Sequence, residues 1–247
     1  MRSLLSSRTT DVNVRSAPQM REYEAIADRL ASDEPERVLD WGCGAGQMTR
    51  LLRARGLDVT AYDHRPDLSE PSVAPLRLYP DVAAHLSPEP VRLPFGDASF
   101  DAVLSCGVLE HVHNPDASLD ELKRVLRPGG TFYVYKLPNR RSYLECVARL
   151  LARAGARIYW HGRQPSDQLY DMRSARALLE RHGYAVAELR LSNMLPLTFP
   201  GRLAARLTPV LWRMNTALAR VPLLRALATN VELVAQAPPS KHPAAGQ

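Results

Sequence analysis

The sequence predicts an α/β fold, a seven-stranded and mostly parallel sheet with helices on both faces, and three observations predict it. Short apolar runs alternate with amphipathic helical stretches between residues 17 and 137, the pattern of a parallel sheet covered on both sides. Within that alternation, Val38-Leu39-Asp40-Trp41-Gly42-Cys43-Gly44-Ala45-Gly46, followed by Gln47-Met48-Thr49-Arg50-Leu51-Leu52, reads as a buried strand, an acid at its end, a glycine-rich turn and the start of a helix. Two further apolar runs, at residues 185–191 and 230–236, close the sheet after helical insertions have interrupted the alternation. A chain of 247 residues, 45% of them apolar, suffices for one such domain with a full core.

Taken in order, residues 1–16 are a polar arm rich in Ser, Thr and Arg, read as a flexible tail. Met20, Tyr23, Ile26, Ala27 and Leu30 recur at helical spacing and place a helix at 18–31. Strand 37–41, helix 46–55 and strand 57–62 follow. The proline-spaced stretch 66–90 holds a weak strand near 76–79 and a short helix near 81–86. Strand 100–105, helix 116–126 and strand 131–137 complete the core. The helix has acids early and bases late, as its dipole favours, with Leu119, Leu122 and Leu126 on one face.

Beyond residue 137 lies an inserted stretch, 138–168, with a helix at 142–154 and then Ile158-Tyr159-Trp160-His161. A last core helix begins near Asp171 and stops at Gly183. The second insertion, 193–229, carries Phe199, Leu203, Leu207, Val210, Met214, Leu218 and Val221 in steps of 4, 4, 3, 4, 4 and 3, a helical stripe. Prolines 196, 200, 209 and 222 are expected to cut it into short helices, with Thr208 as an N-cap and Pro209 at the first helical position. The organisation is one domain, 1–247: a cofactor-binding core at 17–137, two inserted elements that form a lid or an acceptor-binding surface, and tails at 1–16 and 237–247.

The glycine turn selects its ligand by spacing and charge. The G-x-G-x-x-G fingerprint of dinucleotide sites would put its third glycine at 47, where the chain has Gln47, and no Gly-Lys-Ser/Thr follows to make a phosphate loop. Asp40 before the turn suits a ligand ammonium, and the N–H groups at the helix start suit a carboxylate. Asp63, 17 residues after Gly46 at the tip of the second strand, suits two ribose hydroxyls. An amino acid joined to a nucleoside carries all three groups, and S-adenosylmethionine is that molecule.

With these residues the chain resembles the class I S-adenosylmethionine-dependent methyltransferases, in the small-molecule branch that includes the ubiquinone-pathway O-methyltransferases. Val38 to Gly46 resembles that family's motif I, and Ala61-Tyr62-Asp63-His64 its post-I position. Leu93-Pro94-Phe95, with Ser99-Phe100-Asp101, resembles the entry to the fourth strand. Ser105-Cys106-Gly107-Val108-Leu109-Glu110-His111-Val112 resembles the loop after it, and Leu126-Arg127-Pro128-Gly129-Gly130 the turn into the fifth strand. The resemblance spans roughly residues 20–136 and implies a Rossmann-like fold.

It further implies cofactor contacts at Asp40, Gly42, Cys43, Gly44, Gly46, Gln47, Asp63, His64, Ser105 and Cys106. The family reads the adenine edge with an aspartate and the following N–H. Here those positions are Glu89 and Pro90, and proline has no N–H, so the contact is expected at Glu89 or Val91. The methyl is activated by the sulfonium itself, so alignment and exclusion of water carry catalysis and no triad is needed. Where the acceptor is a hydroxyl, His111 and His161 are the candidate bases.

The reaction expected is methyl transfer to a small apolar or lipid-like acceptor, with oxygen favoured. A non-catalytic cofactor-binding scaffold is the alternative. A nucleic-acid methyltransferase is less favoured, because the Asn/Asp-Pro-Pro-aromatic run of amino-directed members is replaced by Ser105-Cys106-Gly107-Val108. The formal charge of +6 comes almost wholly from arginine, with lysine only at 123, 136 and 241. Thirteen arginines face four acids between residues 149 and 227, which adds a peripheral contact of 195–227 with an anionic membrane to the expectations. Cys43, Cys106 and Cys146 form neither a metal pattern nor a disulfide framework, and no signal peptide or membrane span is recognised. The expected location is the cytoplasm.

Overall fold

The computed structural model describes residues 17–65, 79–153, 168–195 and 202–239. Strands β1 (Arg37–Trp41), β2 (Asp58–His64), β3 (Ala84–Ser87), β4 (Phe100–Cys106), β5 (Leu126–Pro138), β6 (Ala185–Ser192) and β7 (Asn230–Gln236) form one sheet in the order β3-β2-β1-β4-β5-β7-β6. All pairings from β3 to β5 are parallel, and β7 runs antiparallel between β5 and β6. The chain order reverses between β1 and β4, so ligands belong at the carboxyl ends of these two strands.

Period-two alternation in the strands supplies a core to each face. Leu39, Trp41, Val103, Phe132 and Val134 pack with Leu119 and Leu122 of α3 (Pro115–Val125) and Leu178 and Leu179 of α5 (Met172–Arg181). Val38, Val59, Leu104 and Tyr133 pack on the other face with Ile26, Ala27 and Leu30 of α1 (Ala17–Ala31) and Met48 and Leu52 of α2 (Gln47–Arg53). Helix starts are set locally. The Asn114 side chain accepts from the Ala117 N–H at 3.1 Å ahead of Pro115, and Asp171 and Ser174 form a reciprocal capping box.

Two expectations are corrected. Residues 84–87 form the edge strand β3, and not part of a helix at 81–86; Ala61 to His64 pair in parallel with them. Strand β2 would otherwise present an unpaired edge, and that demand outweighs local helical spacing. The companion strand expected near 76–79 lies outside the described residues, apart from Tyr79.

The second correction concerns the insertion between β6 and β7. Helix α6 (Arg202–Arg220) runs unbroken through Pro209 and is followed by the short α7 (Pro222–Arg225). Pro209 therefore is not a first-turn residue. Its cost is one missing N–H and a crowded Ala205 carbonyl, and both residues lie exposed, where water can solvate the freed group. The helix is held from its other face: Asn215 is buried, Leu211, Trp212, Leu218 and Ala219 are half-buried, and α6 lies against α1. Much of the apolar stripe faces solvent instead, since Leu207, Val210 and Met214 are all exposed. Among the described residues no helix is long and apolar enough to cross a membrane. Helix α4 (Tyr143–Arg153) occupies the start of the first insertion as expected, whereas residues 154–167, including His161, lie outside the described residues.

Candidate active site

Strand β1 ends at Asp40 and Trp41, and the chain then turns through Gly42, Gly44 and Gly46, with φ of 74°, 55° and 89°. Side chains other than glycine strain at such angles. Two of these glycines also meet close neighbours: a Cβ on Gly42 would stand 2.6 Å from the Val108 methyls, and one on Gly46 2.8 Å from Val82. Val108 belongs to the loop after β4 and Val82 to the segment before β3, so the turn is clamped from both sides. The Gly42 and Cys43 N–H groups donate to the Tyr62 carbonyl at 2.8 and 2.9 Å, which ties the turn to β2. Gly46 offers no side chain to cap α2, and the Asp40 carboxylate takes the Thr49 N–H of the helix's first turn instead.

Asp40 is buried beneath this turn and accepts from the Thr49 hydroxyl at 2.6 Å. Burial pushes its carboxyl up to about 6, against the hydrogen bonds from Thr49, and the Asp63 charge adds to the rise. Asp63, at the tip of β2, is also raised by burial, and Arg65 at 3.4 Å counters it. His64 lies beside the Glu89 carbonyl, with Nδ1 to oxygen at 3.1 Å, and the Tyr62 hydroxyl donates to the same carbonyl at 3.4 Å. Glu89 is exposed and Val91 half-buried. The rim of the expected adenine site is thus held to the end of β2 through backbone, not through the Glu89 carboxylate.

Ser105 ends the buried part of β4, in register with Trp41, and Cys106 lies half-exposed beyond it. Two buried polar atoms in this region, Ser105 Oγ and Arg65 Nε, have no hydrogen-bond partner among the described residues. They stand on either side of the glycine turn, and orphaned polar groups there fit a polar ligand. Cys43 and Cys106 thiols are both raised by burial and remain uncharged.

The loop after β4 makes a short 3-10 turn, Leu109–His111. Glu110 is buried in it, and the His111 ring, about half exposed, stands 3.8 Å from the Glu110 carboxylate. Residues 168–170 hold this loop down: the Gln168 N–H donates to the Glu110 carbonyl at 2.9 Å, and its side-chain amide to the Val112 carbonyl at 3.0 Å.

Sequence reasoning missed one polar cluster at the same edge of the sheet. The Lys136 ammonium, at the end of β5, contacts Glu22 of α1 at 2.7 Å, and Glu22 also accepts from the side-chain amides of Asn193 and Asn230. Asn215 of α6 donates to Asn193 at 3.2 Å and accepts from the Met194 N–H at 2.7 Å. The available signal was compositional: Lys136 is one of three lysines in a chain that otherwise uses arginine.

A sheet of this order, with a glycine turn at β1, an acid at the tip of β2 and a capped loop after β4, defines a class I methyltransferase fold. The methyltransferase-domain family model matches residues 39–134. The demethylmenaquinone methyltransferase of Clavibacter sepedonicus is 32% identical over 168 residues, 63% of this chain and 68% of that protein. That of Renibacterium salmoninarum is 29% identical over 202 residues, 78% of this chain and 82% of that one. Several other relatives are matched over about half of their length. The crystal structure of Burkholderia thailandensis 1,6-didemethyltoxoflavin-N1-methyltransferase, with bound S-adenosylhomocysteine, superposes with a TM-score of 0.52 at 21% identity, covering 92% of this chain and 81% of that one. The chain belongs to the S-adenosylmethionine-dependent methyltransferases. It is such an enzyme, and S-adenosylmethionine is its cofactor.

Proposed function

We propose that the enzyme transfers the methyl group to an oxygen of a small apolar or lipid-like acceptor, at the carboxyl ends of β4 and β5, while resting against an anionic membrane surface. One observation carries this reading. Of the nine large hydrophobic side chains exposed among the described residues, eight lie on or beside α4, α6 and α7: Val147, Leu150, Leu207, Val210, Met214, Val221, Leu224 and Leu227. These elements join at the mouth of the site. The Tyr143 N–H donates to the Leu227 carbonyl at 3.0 Å, the Asn139 amide to the Ala228 carbonyl at 2.7 Å, and Asn215 anchors α6 to the end of β6. Residues 202–229 hold five arginines and no acid, so the segment that carries most of this apolar face is itself purely basic. The two bacterial relatives, named for demethylmenaquinone, support an acceptor of quinone type.

The cofactor, when bound, supplies a methyl already activated by its sulfonium. Asp40 and the glycine turn hold its amino-acid end, Asp63 its ribose, and Glu89, Val91 and His64 the base, while Ser105 and Cys106 border the methyl. His111 is the candidate base, placed on the loop beyond β4; His161 remains a second candidate. Neither is required where the acceptor ionises by itself. The test is methylation of a fractionated bacterial extract with methyl-labelled cofactor. Label in the solvent-extractable lipid fraction, stable to mild acid, supports the reading, whereas label confined to water-soluble products overturns it.

A further inference from the structure

Lys136 breaks three rules at one position. It is a residue other than glycine at φ 63°, it sits in an irregularity where the β5 to β7 register shifts between Val134 and Leu137, and it draws its ammonium into the protein. Each feature carries a cost, and bulges of this kind re-aim side chains at the ends of strands. Burial alone would lower its pKa, but the Glu22 carboxylate outweighs this and holds the ammonium charged.

A staple between α1 and the sheet does not account for the arrangement. A buried ion pair is commonly no more stabilising than an apolar pair of the same volume, and an apolar pair would not need the strained backbone. The ammonium is also incompletely used. Among the described residues it makes one hydrogen bond, to Glu22, and lies 4.9 Å from the centre of the Tyr23 ring, so two of its three N–H groups are left without an oxygen. A fifth of its side chain, 21%, is still open. The position is the mouth itself: Tyr135 pairs with Cys106, and its carbonyl accepts from the Gly107 N–H at 3.0 Å, so Lys136 stands beside the loop that borders the methyl.

We propose that Lys136 binds the acceptor's oxygen in its ionised form, and that the acceptor is therefore a phenol or enol that reacts as its oxyanion. The proposal deepens the O-methylation reading and rests on it. The hydroxyl proton leaves to solvent or to His111; the oxyanion forms the new O–C bond as the C–S bond breaks and its electron pair stays on sulfur. Glu22, held by Asn193 and Asn230, fixes the ammonium in place. The other titratable groups facing it are Tyr23 on α1, which burial pushes up to about 12, and Cys106 on β4, whose raised thiol adds no charge. The Tyr23 ring provides apolar surface beside the charge, as an acceptor ring with one polar edge requires.

The probe is 4-nitrocatechol, whose neutral and ionised forms absorb at different wavelengths, titrated into the enzyme saturated with S-adenosylhomocysteine. The wild type is expected to bind the anion and to lower its apparent pKa by about one unit or more. Lys136→Met, and the double variant Glu22→Gln/Lys136→Met that leaves no buried charge unpaired, should lose that shift and bind at least about tenfold more weakly. Lys136→Arg should retain most of both. Affinity for S-adenosylhomocysteine, measured on the same samples by calorimetry, should change less than about threefold in every variant. Binding of the neutral probe, no binding to the wild type, or a shift that survives in Lys136→Met overturns the proposal. Loss of S-adenosylhomocysteine binding in the variants alone overturns it too, by making Lys136 a cofactor or folding residue. Loss in the wild type contradicts the cofactor assignment beneath it.

Discussion

Asp40 shows at the scale of one residue how the fold stores a binding preference. Its raised pKa, about 6, comes chiefly from burial, so the ionised form is disfavoured until a cation arrives to pair with it. The sign follows directly. Below about pH 6 the carboxyl is protonated and a ligand ammonium meets a neutral group, so affinity for S-adenosylhomocysteine should fall as pH drops from 7 to 5, and Asp40→Asn should flatten that dependence. Because the folded pKa lies above the unfolded one, the folded state takes up a proton between about 4 and 6, and the ligand-free protein loses stability as pH rises through that window. Asp40→Asn should therefore melt higher than the wild type at pH 7 while binding the cofactor more weakly. Calorimetric titrations and thermal melts at pH 5 and 7 check both. The placing of Asp40, Asp63 and the three glycines at the ends of β1 and β2 and in the turn was legible because strand, acid and glycines are adjacent in the sequence. The Lys136 cluster was not, since it joins residues 22, 136, 193, 215 and 230, and no local pattern links them.

Helices and strands differ in how far local signals reach. The glycine turn, the Asn114 cap and the Asp171 box set their elements from within a few residues, and the turn and the two helices that follow these caps were legible. Strand β3 was not, because its identity depends on the open edge of β2. Helix α6 was misread for a related reason: a proline that would stop an isolated helix is tolerated when the opposite face is held by Asn215 and by α1. Pro209→Ala should thus raise stability by about 1 to 3 kcal/mol, as for a proline in a helix interior; no change in denaturant midpoint would mean that a helix starts at Pro209 after all. A second element-scale prediction concerns α3 and α5. His182, just past α5, bridges Asp120 through Nδ1 at 2.9 Å and Asp116 through Nε2 at 2.8 Å. Burial lowers its pKa, but the two carboxylates outweigh that and leave it raised. Its stabilising charge is fully present below the unfolded pKa of about 6.5 and is lost as pH rises through the higher folded value. The melting-temperature gap between wild type and His182→Ala should be wider at pH 5.5 than at pH 9; a gap independent of pH would show the pair to be without charge.

On the scale of the whole molecule, one edge of the sheet gathers the glycine turn, the loop after β4, Lys136 and the apolar face of α4, α6 and α7. The proposed acceptor entry and the proposed membrane contact thus fall on the same side. The enzyme should sediment with vesicles containing anionic phosphatidylglycerol at low ionic strength and release as salt screens the arginines; Val210→Glu/Met214→Glu should not sediment, and sedimentation with neutral vesicles alone would contradict the charge argument. The central claim is the cofactor site, and calorimetric titration with S-adenosylhomocysteine tests it most directly. Wild-type enzyme should bind, and Asp63→Ala, which removes the proposed acceptor of the ribose hydroxyls, should bind at least about tenfold more weakly, a loss of about 1.5 to 3 kcal/mol. Equal affinity in the two proteins, or tighter binding of NAD than of S-adenosylhomocysteine by the wild type, would contradict the account.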